Sequence, residues 1–146
     1  MRLLVDSSSF AKRYIQEVGS DKLDEFLQQA SELAICVILV PELISALNRR
    51  LREGALTERD YRKAKKLLLD DVGDATVLQL TPAVISRSVH LLENSVLRAM
   101  EALHVACALE WNADLFVTSD KKQLDSAVNS GLHTEYLGQQ IATVRQ

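Results

Sequence analysis

Short apolar runs of strand length alternate with helix-length stretches along the whole chain, a pattern that points to a parallel sheet with helices on both faces. The run Arg2 to Val5 ends at Asp6, after which Ser7-Ser8-Ser9 supplies N-cap hydroxyls for a helix carrying Phe10, Tyr14 and Ile15. A second helix, around Asp21 to Ala30, leads to the β-branched run Ala34 to Ile38, and Pro41 opens a third at a position that tolerates proline. Leu43, Ile44, Leu47 and Leu51 recur there at helical spacing, and Gly54 stops it. Thr57 caps a further helix that ends near Asp70-Asp71, before Gly73. The second half repeats the theme: a strand over Ala75 to Leu80, a helix from Thr81-Pro82 to about Glu93, and a helix from about Leu97 to Trp111 that is apolar on nearly every face. Asp114 to Thr118 reads as a strand, Lys121 to Asn129 as a helix closed by Gly131, and His133 to Leu137 as an edge strand.

With 146 residues, 47% of them hydrophobic and 25% charged, the chain suits one ordinary soluble domain over residues 1–146. No repeat, low-complexity tract or proline-rich linker divides it. The longest apolar run, Leu33 to Pro41, is about half of the roughly 20 residues a membrane-spanning helix needs, so no membrane association is expected. The N-terminus reaches Asp6 too soon for a signal-peptide core, and a cytoplasmic location follows as the expectation. Cys36 and Cys107 lie in apolar surroundings far apart in sequence, which suits small buried residues better than a disulfide or a metal framework. The net charge of −3 argues against a phosphate-binding surface in bulk. Its distribution matters more, because Arg49, Arg50 and Arg52, then Arg59, Arg62, Lys63, Lys65 and Lys66, gather in clusters that read either as solvated helix faces or as phosphate contacts.

Ligands of an open parallel sheet bind outside the carboxyl ends of its strands, and four acids fall there. Asp6 ends the first strand, and Asp120 lies two residues beyond the Val117-Thr118 strand end. Glu42 is expected as the second residue of its helix, near the same pole, where the positive helix end favours an anion. Glu101 lies in Ala99 to Leu109, where only it and His104 are polar, so it is expected to be buried and therefore paired, protonated or bound to a cation. Taken singly, Asp6 and Asp120 read equally well as capping residues. Glu42 reads as a helix-dipole partner, and Glu101 as half of a buried pair with His104 or Arg98. Convergence of all four would need a divalent cation to offset their repulsion, and oxygen-only ligands select Mg²⁺ or Mn²⁺. Glu101-x-x-His104 has the spacing of a di-iron ligand pair, but no second such motif exists, so His104 reads as a core histidine with a hydrogen-bond partner. Asp70, Asp71 and Asp74 are expected in a solvated loop at the opposite pole.

Leu4-Val5-Asp6-Ser7-Ser8, Pro41-Glu42-Leu43 with its basic helix, Arg98 to His104, and Val117-Thr118-Ser119-Asp120-Lys121 together resemble, in order, the acidic motifs of PIN-domain nucleases. The resemblance spans almost the whole chain, and its most specific part is the Glu101 motif with the Thr-Ser-Asp motif after it. It departs at Glu101, where the family usually carries aspartate. The resemblance implies a three-layer α/β/α sandwich around a parallel sheet of four to five strands. It implies a Mg²⁺- or Mn²⁺-dependent endoribonuclease, the toxin of a toxin–antitoxin pair. Asp6, Glu101 and Asp120 would bind metal directly or through water, Glu42 would bind it or position the attacking water, and Ser7, Thr118 and Ser119 would orient ligands. Arg49 and Arg52 would hold flanking phosphates, and the partners would be RNA, a cognate antitoxin and a second copy of the chain. Two rivals stand beside this reading. A phosphoacceptor receiver domain fits poorly, because Ser7-Ser8 follows Asp6 and no aspartate ends the Ala75 to Leu80 strand. A non-catalytic PIN-like scaffold binding RNA or a protein is motivated by Glu101.

Overall fold

The computed structural model describes residues 1–139, so the domain end expected at residue 146 lies outside the described residues. In chain order the elements are β1 (Arg2–Val5), α1 (Ser7–Phe10), α2 (Ser20–Gln29), β2 (Glu32–Cys36), α3 (Leu39–Arg52), α4 (Glu58–Asp74), β3 (Thr76–Leu78), α5 (Pro82–Asn94), α6 (Ala99–Trp111), β4 (Leu115–Thr118), α7 (Lys121–Asn129) and β5 (Thr134–Tyr136). A 3₁₀ turn over Ala11–Arg13 follows α1. The strands form one parallel sheet in the order β3-β2-β1-β4-β5. The chain therefore winds outward from β1 in one direction and then from β4 in the other.

Strand periodicity builds the layers, because successive side chains point to opposite faces. Leu3, Val5, Ile35, Leu115 and Val117 pack on one face with Phe10, Leu23, Phe26, Leu39, Leu43 and Leu68 from α1 to α4. Leu4, Ala34, Cys36 and Phe116 pack on the other with Val84, Leu91, Ala102, Val105 and Ala127 from α5 to α7. The result is the expected three-layer sandwich with five strands. The two central strands are apolar at nearly every position because both of their faces are covered. Each fully buried Leu or Val there contributes about 1.5–3 kcal/mol. Cys36 and Cys107 are free and buried in the second layer. Among the described residues no helix is long and apolar enough to cross a membrane.

Several boundaries differ from the sequence expectation, each for a physical reason. Asp6, not a serine, caps α1: its carboxylate accepts from the Ser9 amide at 3.0 Å. The helix that was to carry Tyr14 and Ile15 stops early, because Lys12 is drawn inside and its Nζ donates to the Val18 carbonyl at 2.7 Å. β2 begins two residues before Ala34, since the Ser31 and Glu32 amides both donate to the Met1 carbonyl, at 2.9 and 3.4 Å. The chain has turned helical by Leu39, so Pro41 sits inside the first turn of α3, where its missing N–H costs no intrahelical bond, and Glu42 is the fourth residue rather than the second. α4 continues through Gly73 to Asp74, and Asp71 is no solvated loop residue. It accepts from Arg13 Nε and from the Tyr14 hydroxyl, both at 2.7 Å, which ties the α1 segment to α4.

Gly19 closes the segment between that 3₁₀ turn and α2 with a φ of +93°, and a Cβ there would stand 2.7 Å from the Leu137 carbonyl oxygen. Both the left-handed backbone and the contact with β5's flank demand glycine. Gly19→Ala should therefore lower unfolding stability by roughly 1–3 kcal/mol, read as a lower urea midpoint with an unchanged slope.

Candidate active site

The sheet reverses its winding between β1 and β4, and the crevice above their carboxyl ends is where an open parallel sheet binds ligands. The register Val5↔Val117 puts the next residues, Asp6 and Thr118, side by side. Asp6 is fully buried. Its Oδ2 accepts from the Thr118 hydroxyl at 2.7 Å, and Ser8 Oγ stands 2.9 and 2.8 Å from its two oxygens. Burial pushes this carboxyl above the usual range, opposed by the His104 charge and the bonds from Thr118, Ser9 and Ser8. Thr118 also accepts the Asp120 amide at 3.0 Å, and Ser8 accepts the Ser119 amide at 2.9 Å. Ser119 Oγ lies 2.7 Å from Ser9 Oγ, so Asp6, Ser8 and Ser9 of one turn are bonded to Thr118 and Ser119 of the other.

Glu42 reaches the same region from the first turn of α3. Its Oε1 accepts from Ser7 Oγ at 2.7 Å and lies 2.6 Å from His104 Nε2. At that distance from a carboxylate oxygen, Nε2 must carry a proton. Burial alone would raise the Glu42 carboxyl, but the bond and charge of His104, helped by Ser7, outweigh it and hold it below the usual range. His104 moves the opposite way: burial would lower it, while Glu42 and the charge of Asp6 raise it. Glu42 also lines a cleft with Ile38, Pro41, Ser45 and Met100.

Glu101 departs from the expectation of a buried carboxylate. It sits in the first turn of α6, partly exposed, because that turn projects past the packed part of the helix that begins at Ala102. Its Oε1 reaches back to accept the Arg98 amide at 2.7 Å. Neither alternative pair forms: His104 faces Glu42, and only the backbone of Arg98 is engaged. What burial it has and the facing Asp120 carboxylate raise Glu101, against the Arg98 amide and the charge of Lys122. Asp120 caps α7 through Oδ1, accepting from the Lys122 amide at 3.4 Å. Its Oδ2 is buried and meets no hydrogen-bond partner among the described residues.

The four acids thus share one pole but do not close on a single point. Among the described residues no three acidic, histidine or cysteine groups are placed to hold one ion together. The set splits into Glu42 with His104, already compensated, and Glu101 facing Asp120, with Asp6 joined to Asp120 through Thr118. Two facing carboxylates, one with an orphaned buried oxygen, are an oxygen donor set that fits a hard divalent cation. Arg49 and Arg52 are not brought to the acids: they lie seven and ten residues past Glu42, roughly 10 and 15 Å along the helix, and Arg49 pairs with Glu53 at 3.7 Å. Ser8 and Lys122 escaped the sequence reading. A carboxylate followed by three serines offered a signal for Ser8, whereas nothing local marked Lys122.

The PIN domain family model matches residues 3–128. No curated protein matches the sequence significantly. Among solved structures, the chain is similar to one from the VapBC2 complex of Rickettsia felis bound to a promoter DNA fragment, with a TM-score of 0.67 and 14% identity over 93% of this chain and 98% of that one. It is similar to the sarcin–ricin loop cleaving toxin VapC20 of Mycobacterium tuberculosis, with a TM-score of 0.66 and 14% identity over 89% and 95%. VapBC-1 of nontypeable Haemophilus influenzae gives 0.66 and 15% over 94% and 98%. At such identities the structural likeness speaks for the fold, and the family model adds the sequence evidence over most of the chain. The chain belongs to the PIN-domain family.

Proposed function

We propose that this protein is a Mg²⁺- or Mn²⁺-dependent endoribonuclease that acts as the toxin of a toxin–antitoxin pair in the cytoplasm. The observation that carries the reading is the Asp120 carboxylate, one oxygen of which is buried without a partner among the described residues, close enough to Glu101 to raise it and sharing with Asp6 the pole above the reversal point of a PIN-family sheet. Asp6, Glu101 and Asp120 would hold the ion directly or through water. When bound, the ion supplies an activated water and neutralises charge developing on the phosphodiester oxygens. Glu42, kept ionised, is suited to orient the attacking water or accept its proton, or to serve as a ligand itself. Ser7 and Thr118 hold Glu42 and Asp6 in place, while Ser119 ties the two turns together. Lys122, near Glu101, is better placed than Arg49 or Arg52 for a phosphate next to the scissile bond, leaving those two for more distant phosphates.

A cognate antitoxin and a second copy of the chain are the proposed protein partners. The antitoxin is supported by neighbours such as a toxin–antitoxin complex from Klebsiella pneumoniae. The second copy is supported by α5, where Ile85, Val89 and Leu92 recur on one face and remain exposed, with Val96 and Met100 also exposed. One observation favours an attenuated scaffold: Glu101 spends a carboxylate oxygen on its own helix end.

Purified protein freed of antitoxin should cleave cellular RNA with Mg²⁺ or Mn²⁺, and lose cleavage with EDTA. Asp6→Asn, which keeps a good N-cap, should lose at least about a hundredfold. Intact RNA together with no heat of metal binding would remove the nuclease reading. Glu101→Asp should alter the rate by less than roughly tenfold, and a gain beyond that would mark the natural protein as attenuated. In sedimentation the wild type should run as a dimer and Val89→Asp as a monomer.

A further inference from the structure

α6 is rich in apolar residues, and Val105, Ala106, Cys107 and Ala108, which follow His104 along it, are buried in the second apolar layer. A histidine is costly there. His104 is almost wholly buried, and among the described residues its Nδ1 meets no hydrogen-bonding group. An imidazole that leaves one nitrogen unsatisfied in an apolar layer is a poor choice for packing alone. What it offers is its other nitrogen, and Nε2 is aimed at Glu42 Oε1, 2.6 Å away.

Ser7 completes the arrangement. Its hydroxyl donates to the same Oε1 at 2.7 Å and lies 3.2 Å from Nε2. Both donors converge on Oε1, and no hydrogen bond among the described residues engages Oε2. The carboxylate is thereby held at one oxygen by two elements distant in sequence, the β1–α1 turn and the middle of α6, and left open at the other. Glutamate has three rotatable side-chain torsions. A Glu42 held only at its backbone would sample several staggered positions in the cleft it lines.

We propose that His104 is a positioning residue which, with Ser7, clamps Glu42 through Oε1 so that Oε2 alone is presented to the metal and its water. The inference rests on the nuclease reading above. The bond needs only a proton on Nε2, which both the neutral tautomer and the imidazolium provide, so the clamp does not depend on the charge of His104. Hydrogen-bonded partners of this kind set the orientation of ligating carboxylates, and their loss typically lowers metal affinity or activity by about 10–100-fold.

The test is Mn²⁺ titration by calorimetry, paired with RNA cleavage, on the wild type, His104→Leu, His104→Gln, Glu42→Ala and the His104→Leu/Glu42→Ala double variant. His104→Leu should weaken Mn²⁺ binding or lower kcat by roughly tenfold or more, with KM for RNA little changed. His104→Gln places an amide N–H near the position of Nε2 and should restore most of the loss. The decisive arm is the double variant, which should match Glu42→Ala alone, because a residue that acts only through Glu42 has nothing left to act on. A role in packing would instead add its loss to that of Glu42→Ala and would overturn the clamp. So would a folded His104→Leu with wild-type Mn²⁺ affinity and rate. Should His104→Leu fail to fold, Ser7→Ala, at the more exposed side of the same oxygen, must show a similar though smaller loss, again absent in the Glu42→Ala background; an unchanged Ser7→Ala overturns the proposal. A wild type that binds no Mn²⁺ overturns the metal reading itself, an outcome distinct from a wild type that binds Mn²⁺ and is indifferent to position 104.

Discussion

The buried carboxylate of Asp6 is the interaction on which the rest of the site depends. Taking a carboxylate out of water costs several kcal/mol unless its oxygens are hydrogen-bonded, and here the chain meets that cost locally. Ser8, the Ser9 amide and Thr118 all point donors at it. Thr118 and Ser8 in turn accept the amides of Asp120 and Ser119. The tips of β1 and β4 are bound together by a network in which nearly every donor and acceptor is used. Because α1 and α7 start from these two tips, the network also sets where both helices begin.

Electrostatics explains how four acids share one end of the molecule. Each stands at or inside the first turn of a different helix: Asp6 and Asp120 as caps, Glu42 and Glu101 among the first residues. The positive end of a helix favours a neighbouring anion by about 0.3–1 kcal/mol, so four such ends offset part of the mutual repulsion. The remainder is unevenly met. Glu42 has a protonated ring nitrogen against it, whereas Glu101 and Asp120, close enough for Asp120 to raise Glu101, have only the Arg98 and Lys122 amides and the charge of Lys122 to help. The pole is therefore compensated on the α3 side and short of positive charge on the α6–α7 side, which is where a cation has the most to gain.

The fold was legible because its signal is periodic. Apolar runs of four or five residues separated by helical stretches are what a parallel sheet covered on both faces requires, and the alternation of Leu3 and Leu4, or Phe116 and Val117, between layers follows from strand geometry alone. The site was legible as far as the strand ends told which pole each acid occupies. What sequence reasoning missed is the pairing between distant segments. Asp71 read as a loop acid because Arg13 and Tyr14 lie 58 and 57 residues away. His104 read as a core residue with an unnamed partner because Glu42 is 62 residues away. Glu101 differs for another reason: the apolar sequence of α6 implies burial from end to end, although its first turn projects beyond the layer it packs in.

Net charge is a weak guide to whether a chain like this one accommodates a polyanion. At physiological salt, exposed charges more than about 8 Å apart are largely screened, so the balance within each patch outweighs the sum of −3 over the chain. Several of the acids that produce that sum are spoken for. Asp71 is bonded to Arg13 and Tyr14, Asp6 is buried among donors, and Glu42 is matched by His104. The bases of α3 and α4 are exposed, and among the described residues only Arg49 and Arg50 of them form ion pairs, both at 3.7 Å or longer. An acidic chain thus carries a run of exposed bases along α3 and α4, while four of its acids share the pole above β1 and β4.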